Sequence, residues 1–374
     1  MNTPATLGIV GGGQLALMMI EAARRLGLET KVLASSADEV AARRWVGSEL
    51  GDGRDLQDLR SFAETCDVIT FDHELVNSFA LAVLEDEGVI VRPGASALAV
   101  ATDKHRQLQL FSERRLPVPD TVIVHDAEEA VEAARSFAGG VVLKAATGGY
   151  DGRGVLLDPN DETIREWYPI RRTAVLVQPL LEMEAEFAVQ VVRSPSGEIV
   201  TYPVVRTVQA SGMCSIVHVP SGLDPDLERE AISIACRIAE AIGVVGLLAV
   251  EFFLSDGRLL LNEIAARPHN SGHITLESSR TSQFENHMRA VAGHPLGATD
   301  LIVPAAAMVN IVGSCEGPHS FGLLPGDVAV HLYGKSPRPG RKLGHLTAVD
   351  TDIQSAIKRA TAGLDALMKS EGAS

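Results

Sequence analysis

The chain shifts repeatedly between short continuous apolar runs and stretches in which apolar residues recur every third or fourth position. The first pattern reads as buried strand, the second as amphipathic helix. Residues 7–10 (LGIV) lead into Gly11-Gly12-Gly13-Gln14 and then Leu15, Met18, Met19, Ala22 and Leu26 at helical spacing, a strand-loop-helix unit. A strand at 31–34, a helix at 56–64 and a strand at 67–71 continue the alternation. This predicts a small parallel sheet with helices on its faces. Residues 93–102 read as a connection, and 103–108 as part of a long surface helix whose charges need no function.

Pro117 and Pro119 mark a boundary. Beyond them the pattern gives strands at 121–124, 141–143, 175–179, 186–192 and 200–205, with helices at 127–137 and 162–168: a small α+β region. The clearest helix covers 228–242, where Ala231, Ile234, Ala235, Ile238, Ala239 and Ile242 share a face and Gly243 stands at the C-cap position. A hairpin follows, with strands at 247–254 and 259–264 around a turn at 255–258. Two more strands (306–312 and 328–332) and a closing helix (352–368) complete the chain.

Composition narrows the function classes. The 374 residues are 46% hydrophobic and 22% charged, ordinary for folded α/β chains and long enough for two or three domains. Acidic residues outnumber basic ones 48 to 33, a net −15 that argues against a nucleic-acid surface while leaving room for local anion pockets. Cys66, Cys214, Cys236 and Cys315 are dispersed in apolar surroundings and read as core thiols of a reducing compartment. The first apolar strand breaks into glycines after Val10, so neither a signal peptide nor a membrane span is expected, and cytoplasm is the default location.

Four stretches carry candidate chemistry. Val141-Val142-Leu143 ends at Lys144, followed by Gly148, Gly149, Gly152 and Gly154 around Tyr150, Asp151 and Arg153. Glycines let backbone amides approach phosphate oxygens, and a lysine at the strand end adds positive charge, so this reads as a ligand lid rather than a plain turn. It is not a Walker A loop, because the lysine precedes the glycines.

The hairpin buries a glutamate, Glu251, in an apolar strand and returns through Asn262-Glu263. A carboxylate there must be solvated, paired or metal-bound. An odd loop or glycine bulge would place Glu251 and Glu263 face to face, which calls for a cation such as Mg²⁺; a two-residue loop would offset them by one. Arg267-Pro268-His269-Asn270-Ser271-Gly272-His273 follows directly and is expected to face substrate. Zinc at His269 and His273 is a minor alternative without an H-E-x-x-H helix or cysteine partner. Arg338, Arg341 and Lys342, stiffened by Pro339 and Gly340, suit capture of a phosphate monoester.

The glycine loop at 11–13 opens a helix and is a candidate anion site. Its likeness to a dinucleotide fingerprint is weak, since Ala16 stands at the last glycine position and Ala34-Ser35-Ser36 supplies no acid after the second strand. Phe71-Asp72-His73-Glu74 lies at a strand end, where α/β sheets carry ligands.

The motifs GGYDGRG at 148–154, Asn262-Glu263, RPHNSGH at 267–273 and RPGRK at 338–342, in that order, resemble the ATP-grasp superfamily and within it the N5-carboxyaminoimidazole ribonucleotide synthase family. The resemblance spans nearly the whole chain, from GGGQL to RPGRKLGH. It implies α/β and α+β architecture: an N-terminal Rossmann-like (pre-ATP-grasp) domain at 1–110, a central lid domain at 111–182 and a catalytic region with a terminal subdomain at 183–374. It also implies ATP- and bicarbonate-dependent carboxylation of 5-aminoimidazole ribonucleotide through carboxyphosphate, with Mg²⁺, and a homodimer.

Residue by residue, the resemblance gives Lys104, Lys144, Gly149, Tyr150, Asp151, Gly152, Arg153, Gly154 and Val155 to the ATP phosphates. Gln178, Pro179, Leu180, Leu181, Glu186 and Gln209 border the nucleoside, with Asn262 and Glu263 closing the nucleotide site. Glu251 and Glu263 hold the metal. Asp151, Arg267, His269 and Asn270 are the implied catalytic residues, with Asp151 or His269 managing the amine proton. Gly13, Gln14, Leu15, Glu74, Ser271, Arg338, Arg341 and Lys342 take the ribonucleotide. Leu17 departs from an arginine common after the glycine loop, Gln178 from a glutamate common at adenine and Gln209 from a histidine common at the nucleotide site. The rival readings are another ATP-grasp ligase, such as formate-dependent glycinamide ribonucleotide transformylase, a nicotinamide dehydrogenase, and a non-catalytic nucleotide-binding protein.

Overall fold

The computed structural model describes residues 6–148, 154–171, 173–210, 212–313 and 326–369. Among them three β-sheets form. The first contains β1 (Thr6–Val10), β2 (Glu29–Ala34), β3 (Ser48–Leu50) and β4 (Val68–Phe71) in the order β3-β2-β1-β4, all parallel. Helix Gln14–Arg25 buries Leu15, Met18, Met19 and Ala22 on one face, while Phe62, Leu81 and Leu84 fill the other. The apolar β1 and β4, covered on both sides, are what a parallel sheet requires.

The second sheet is antiparallel: β5 (Val122–Val124), β6 (Val141–Ala145), β7 (Val155–Leu157) and β8 (Val175–Pro179), ordered β5-β8-β6-β7. Helices Ala127–Ser136 and Asp161–Arg171 cover it through Ala130, Val131, Ile164 and Trp167. The glycine-rich stretch read as a lid lies between β6 and β7 in the chain, and its residues Gly149, Tyr150, Asp151, Gly152 and Arg153 lie outside the described residues.

The third sheet holds β9 (Ala185–Arg193), β10 (Ile199–Thr201), β11 (Val205–Ala210), β12 (Met213–Val219), β13 (Gly246–Ser255), β14 (Arg258–Ala265), β15 (Ala305–Val312), β16 (Ala329–Leu332) and β17 (Lys342–Asp350). Its path is β14-β13-β9-β11-β12-β15-β17-β16, with β10 beside β9. Helix Pro225–Ala241 packs Ala231, Ile234, Ala235 and Ile238 on one face. Asp224 caps that helix by accepting from the Asp226 amide.

Several elements depart from the sequence reading. The strand expected at 200–205 is two strands, split around Tyr202-Pro203-Val204, where proline offers no amide to a ladder. Residues 95–101, read as connection, form a helix capped at Gly94. Strands β3, β7 and β12 were not expected, and the basic stretch read as a loop turns into β17 at Lys342. Short or polar strands such as β3 carry little period-2 signal of their own; their neighbours make them strands.

Candidate active site

Alternation along β9 and β13 sends Phe187, Val189, Val191, Leu248, Val250 and Phe252 into the core. Glu186, Gln190, Glu251 and Phe253 therefore occupy the opposite face. The β13–β14 loop is the two-residue Asp256-Gly257, with φ +50° and +66°, the left-handed pair that a tight hairpin uses. Near the turn Phe252 pairs with Leu261, but farther along Val250 pairs with Ile264. Glu251 thus lies opposite both Asn262 and Glu263 in a bulge, and neither register expected from sequence applies unmodified. The Asn262 amide nitrogen donates to Glu251 Oε2 at 3.1 Å.

Two lysines converge here from other elements. Lys144, at the end of β6, donates to Asn262 Oδ1 at 3.0 Å and lies 5.3 Å from the centroid of the Phe253 ring. Lys104 forms an ion pair with Glu263, so the first residue of the charged helix Lys104–Glu113 is turned inward, not onto a solvated face. Its backbone amide donates to the Ala146 carbonyl at 2.9 Å, fastening the helix start to the end of the lid strand. Burial pushes Lys144 down to about 7, assisted by repulsion from Lys104. Burial likewise lowers Lys104 and raises Glu251 and Glu186. The Glu251 and Glu263 carboxylates and the Asn262 amide oxygen form an all-oxygen donor set suited to a hard divalent cation.

Gln178 stands on the same face of the lid sheet as Lys144, two positions along the ladder. It borders a cleft lined by Phe111, Val118, Leu176 and Leu261, with the two lysines at its edge. Its amide nitrogen donates to Thr121 Oγ1 at 2.9 Å, which leaves the amide oxygen as an acceptor. Pro179, Leu180 and Leu181 continue from the same strand end, Val155 begins β7 opposite Lys144, and the Gly154 carbonyl just before it accepts from the Ala145 amide at 2.8 Å. On the third sheet, Gln209 of β11 donates to Glu186 Oε2 of β9 at 3.1 Å.

The polar loop after β14 is held rigidly. Gln190 donates to Ser271 Oγ at 2.8 Å, and Ser271 Oγ lies 2.8 Å from His269 Nδ1. With Ser271 donating its one hydroxyl proton, Nδ1 accepts and Nε2 carries the imidazole proton toward Glu251 Oε1, 3.5 Å away. Burial, with Arg267 and Lys342 nearby, pushes His269 down to about 3, so the ring is neutral at ordinary pH. Gln283 clamps the His269 backbone, accepting from its amide at 3.0 Å and donating to its carbonyl at 2.8 Å. A Cβ on Gly272 would collide with the same Gln283 side chain. Asn270 and Asn310 exchange amide hydrogen bonds of 3.0 and 2.7 Å. Arg267 pairs with Glu74 at 3.2 Å, and Glu74 also accepts from the Ala266 amide at 2.9 Å.

Lys342, the first residue of β17, lies close enough for its charge to reach this loop, and Arg338 and Arg341 stand just before it in the chain. Arg341 is lowered by burial and by Arg338 and Arg43. Arg43, from helix Val40–Arg44, donates to the Gly334 carbonyl and adds a guanidinium that the sequence reading did not include. The charge of Lys342 is felt by both Glu251 and His269.

The glycine loop differs from the anion site expected of it. The Gly13 amide donates to Asp72 at 2.7 Å and the Gly12 amide to Glu39 at 2.7 Å. Gly11, at φ +103°, lies where a Cβ would overlap the Asp72 carboxylate. The chain's own carboxylates therefore take the amides that a dinucleotide pyrophosphate would need. Gln14 and Leu15 open the helix behind them. Zinc at His269 and His273 finds no support, because neither belongs to a cluster of three ligating side chains among the described residues. The sequence reading also missed Gln190, Asn310 and Gln283; the first two are polar residues inside apolar strands, the same signal that singled out Glu251.

Comparison with known proteins agrees with this geometry. Residues 4–102 match the ribonucleotide synthetase preATP-grasp domain, 109–284 the ATP-grasp domain, and 306–359 the phosphoribosylaminoimidazole carboxylase C-terminal domain. The N5-carboxyaminoimidazole ribonucleotide synthase of Mycobacterium tuberculosis is 41% identical over 368 residues, covering 95% of this chain and 86% of that one. The crystal structure of the N5-carboxyaminoimidazole ribonucleotide synthetase from Thermus thermophilus superposes with a TM-score of 0.86 at 34% identity, covering 98% of this chain and 100% of that one. The Aspergillus clavatus N5-carboxyaminoimidazole synthase, in complex with ADP and 5-aminoimidazole ribonucleotide, gives 0.88 at 27% identity, covering 98% and 99%. The chain belongs to the N5-carboxyaminoimidazole ribonucleotide synthase family of the ATP-grasp superfamily.

Proposed function

We propose that this protein carboxylates 5-aminoimidazole ribonucleotide to N5-carboxyaminoimidazole ribonucleotide, consuming ATP and bicarbonate in purine biosynthesis. The observation that carries the site reading is the meeting of Lys104, Lys144, Glu251, Asn262 and Glu263 beside the His269 loop. In this reading the ATP phosphates lie between the two lysines, the base enters the cleft beside Gln178, and the ribose hydroxyls meet Glu186. Glu251, Asn262 and Glu263 would hold Mg²⁺, which when bound supplies charge neutralisation at the phosphoryl group.

Bicarbonate oxygen attacks the γ-phosphorus, ADP leaves, and carboxyphosphate forms. The amine of the ribonucleotide then attacks the carboxyl carbon, and phosphate leaves. Carboxyphosphate is labile in water, so the lid of Gly149, Tyr150, Asp151, Gly152 and Arg153 is assigned to exclude solvent. Burial keeps His269 neutral, so it serves as a hydrogen-bond donor, and the amine proton is assigned to Asp151 on the family resemblance. Arg267 and Asn270 orient the carboxyl group. Gly13, Gln14, Leu15 and Ser271 border the ribonucleotide, while Arg338, Arg341 and Lys342, joined by Arg43, bind its phosphate.

The reading predicts that ADP accumulates only when bicarbonate and 5-aminoimidazole ribonucleotide are both present. Turnover with formate and glycinamide ribonucleotide instead would replace it with the transformylase reading. Nucleotide binding with no ADP formed under any combination would leave a nucleotide-binding protein.

A further inference from the structure

Behind the polar loop, Glu277, His331 and His345 bring one ligating atom each to within 4.8 Å of one another. This is the only such set of three among the described residues, and nothing in the nucleotide or ribonucleotide sites uses it. His331 and His345 are direct cross-strand partners on β16 and β17, and their rings stack with centroids 4.5 Å apart. Glu277 arrives from the short helix Thr275–Ser278 and places Oε1 2.7 Å from His331 Nε2. Its other oxygen, Oε2, and His345 Nε2 are both buried without a hydrogen-bond partner. Two orphaned buried polar atoms within one cluster of three side chains are uncommon in folded proteins and call for an explanation.

We propose that Glu277, His331 and His345 form a binding site for a divalent transition-metal ion of the Zn²⁺ class. Two imidazoles and a carboxylate match the donor preference of zinc, whereas Mg²⁺ prefers oxygen alone. The ion occupies both orphaned atoms and leaves one position for water. The second layer is also in place: Tyr333 Oη lies 2.8 Å from His345 Nδ1 and fixes the ring, as outer partners of ligating histidines do. The ion ties the segment after the polar loop to the last two strands of the third sheet. It is a different site from the Mg²⁺ site proposed above and does not depend on that reading.

Co²⁺ titration of the chelator-stripped full chain tests the proposal. The expected result is a visible d–d absorption of four-coordinate cobalt that saturates at one equivalent and is displaced by Zn²⁺. His331→Gln and Glu277→Gln should abolish it, while Glu263→Gln, in the nucleotide site, should leave it intact. Tyr333→Phe keeps all three ligands and should weaken cobalt binding roughly tenfold to a hundredfold. Zn²⁺ should raise the melting temperature of the unaltered chain and not that of His331→Gln. Absence of a saturating band in the unaltered chain, or an unchanged band in folded His331→Gln, overturns the proposal.

Discussion

Lys144 occupies a position where its charge is costly until an anion arrives. Burial and Lys104 depress it from the ordinary lysine value of 10.5 to about 7. A bound nucleotide phosphate favours the ammonium, so above pH 7 binding must draw in a proton. ADP affinity should therefore fall as pH rises from about 7 to 9. Calorimetry in buffers of different ionisation enthalpy at pH 8 should show uptake of about one proton, absent in Lys144→Met. Equal uptake in that variant would assign the proton elsewhere. At this scale the legible signal is a polar group interrupting an apolar strand, although the sequence reading followed it only at Glu251. Glu251 announces itself this way, and Gln190 and Asn310 carry the same mark. Partner choice was not legible: that Asn262 bridges Lys144 to Glu251 depends on strands 118 positions apart in the chain.

The hairpin and the basic stretch show where element-level reading stops. Strand positions, the turn and the like-charge problem at Glu251 and Glu263 followed from the pattern, but the bulge that resolves it did not. Register shifts are set by neighbours: β13 must align Glu251 with Ala188 of β9 while β14 accommodates one extra residue. In the basic stretch, the proline and glycine signalled rigidity, whereas Arg43 arrives from the first sheet's layer and has no sequence cue. Because Arg43 is exposed, its contribution is modest, about 1 kcal/mol at the upper end for such pairs. Arg43→Ala should raise the KM for the ribonucleotide about fivefold, with kcat and the KM for ATP unchanged. An effect on ATP alone would place Arg43 outside the phosphate pocket.

At the scale of the molecule, Glu74 joins the first sheet to the third by accepting from the Ala266 amide and pairing with Arg267. The pair is mostly buried, at 19% and 22% side-chain exposure, so charge-assisted bonds there are worth about 1.5–3 kcal/mol. Glu74→Ala should lower the urea midpoint by that equivalent and impair turnover, while Glu74→Gln, which still accepts from Ala266, should lose less stability. Equal stability of all three proteins would show that the contact does not couple the sheets. The parallel N-terminal sheet and the β13–β14 hairpin were legible from period and punctuation. The closure of the site was not, because it lies where three sheets meet and no single stretch encodes it. No helix among the described residues is long and apolar enough to cross a membrane.

The central claim is that bicarbonate is phosphorylated before the amine attacks. In that order the oxygen bridging carbon and phosphorus comes from bicarbonate and departs with phosphate. Mass spectrometry of phosphate released with ¹⁸O-bicarbonate, ATP and 5-aminoimidazole ribonucleotide should therefore find one heavy oxygen per phosphate. Phosphate released without the label, in reactions that still form the carboxylated product, would contradict the account.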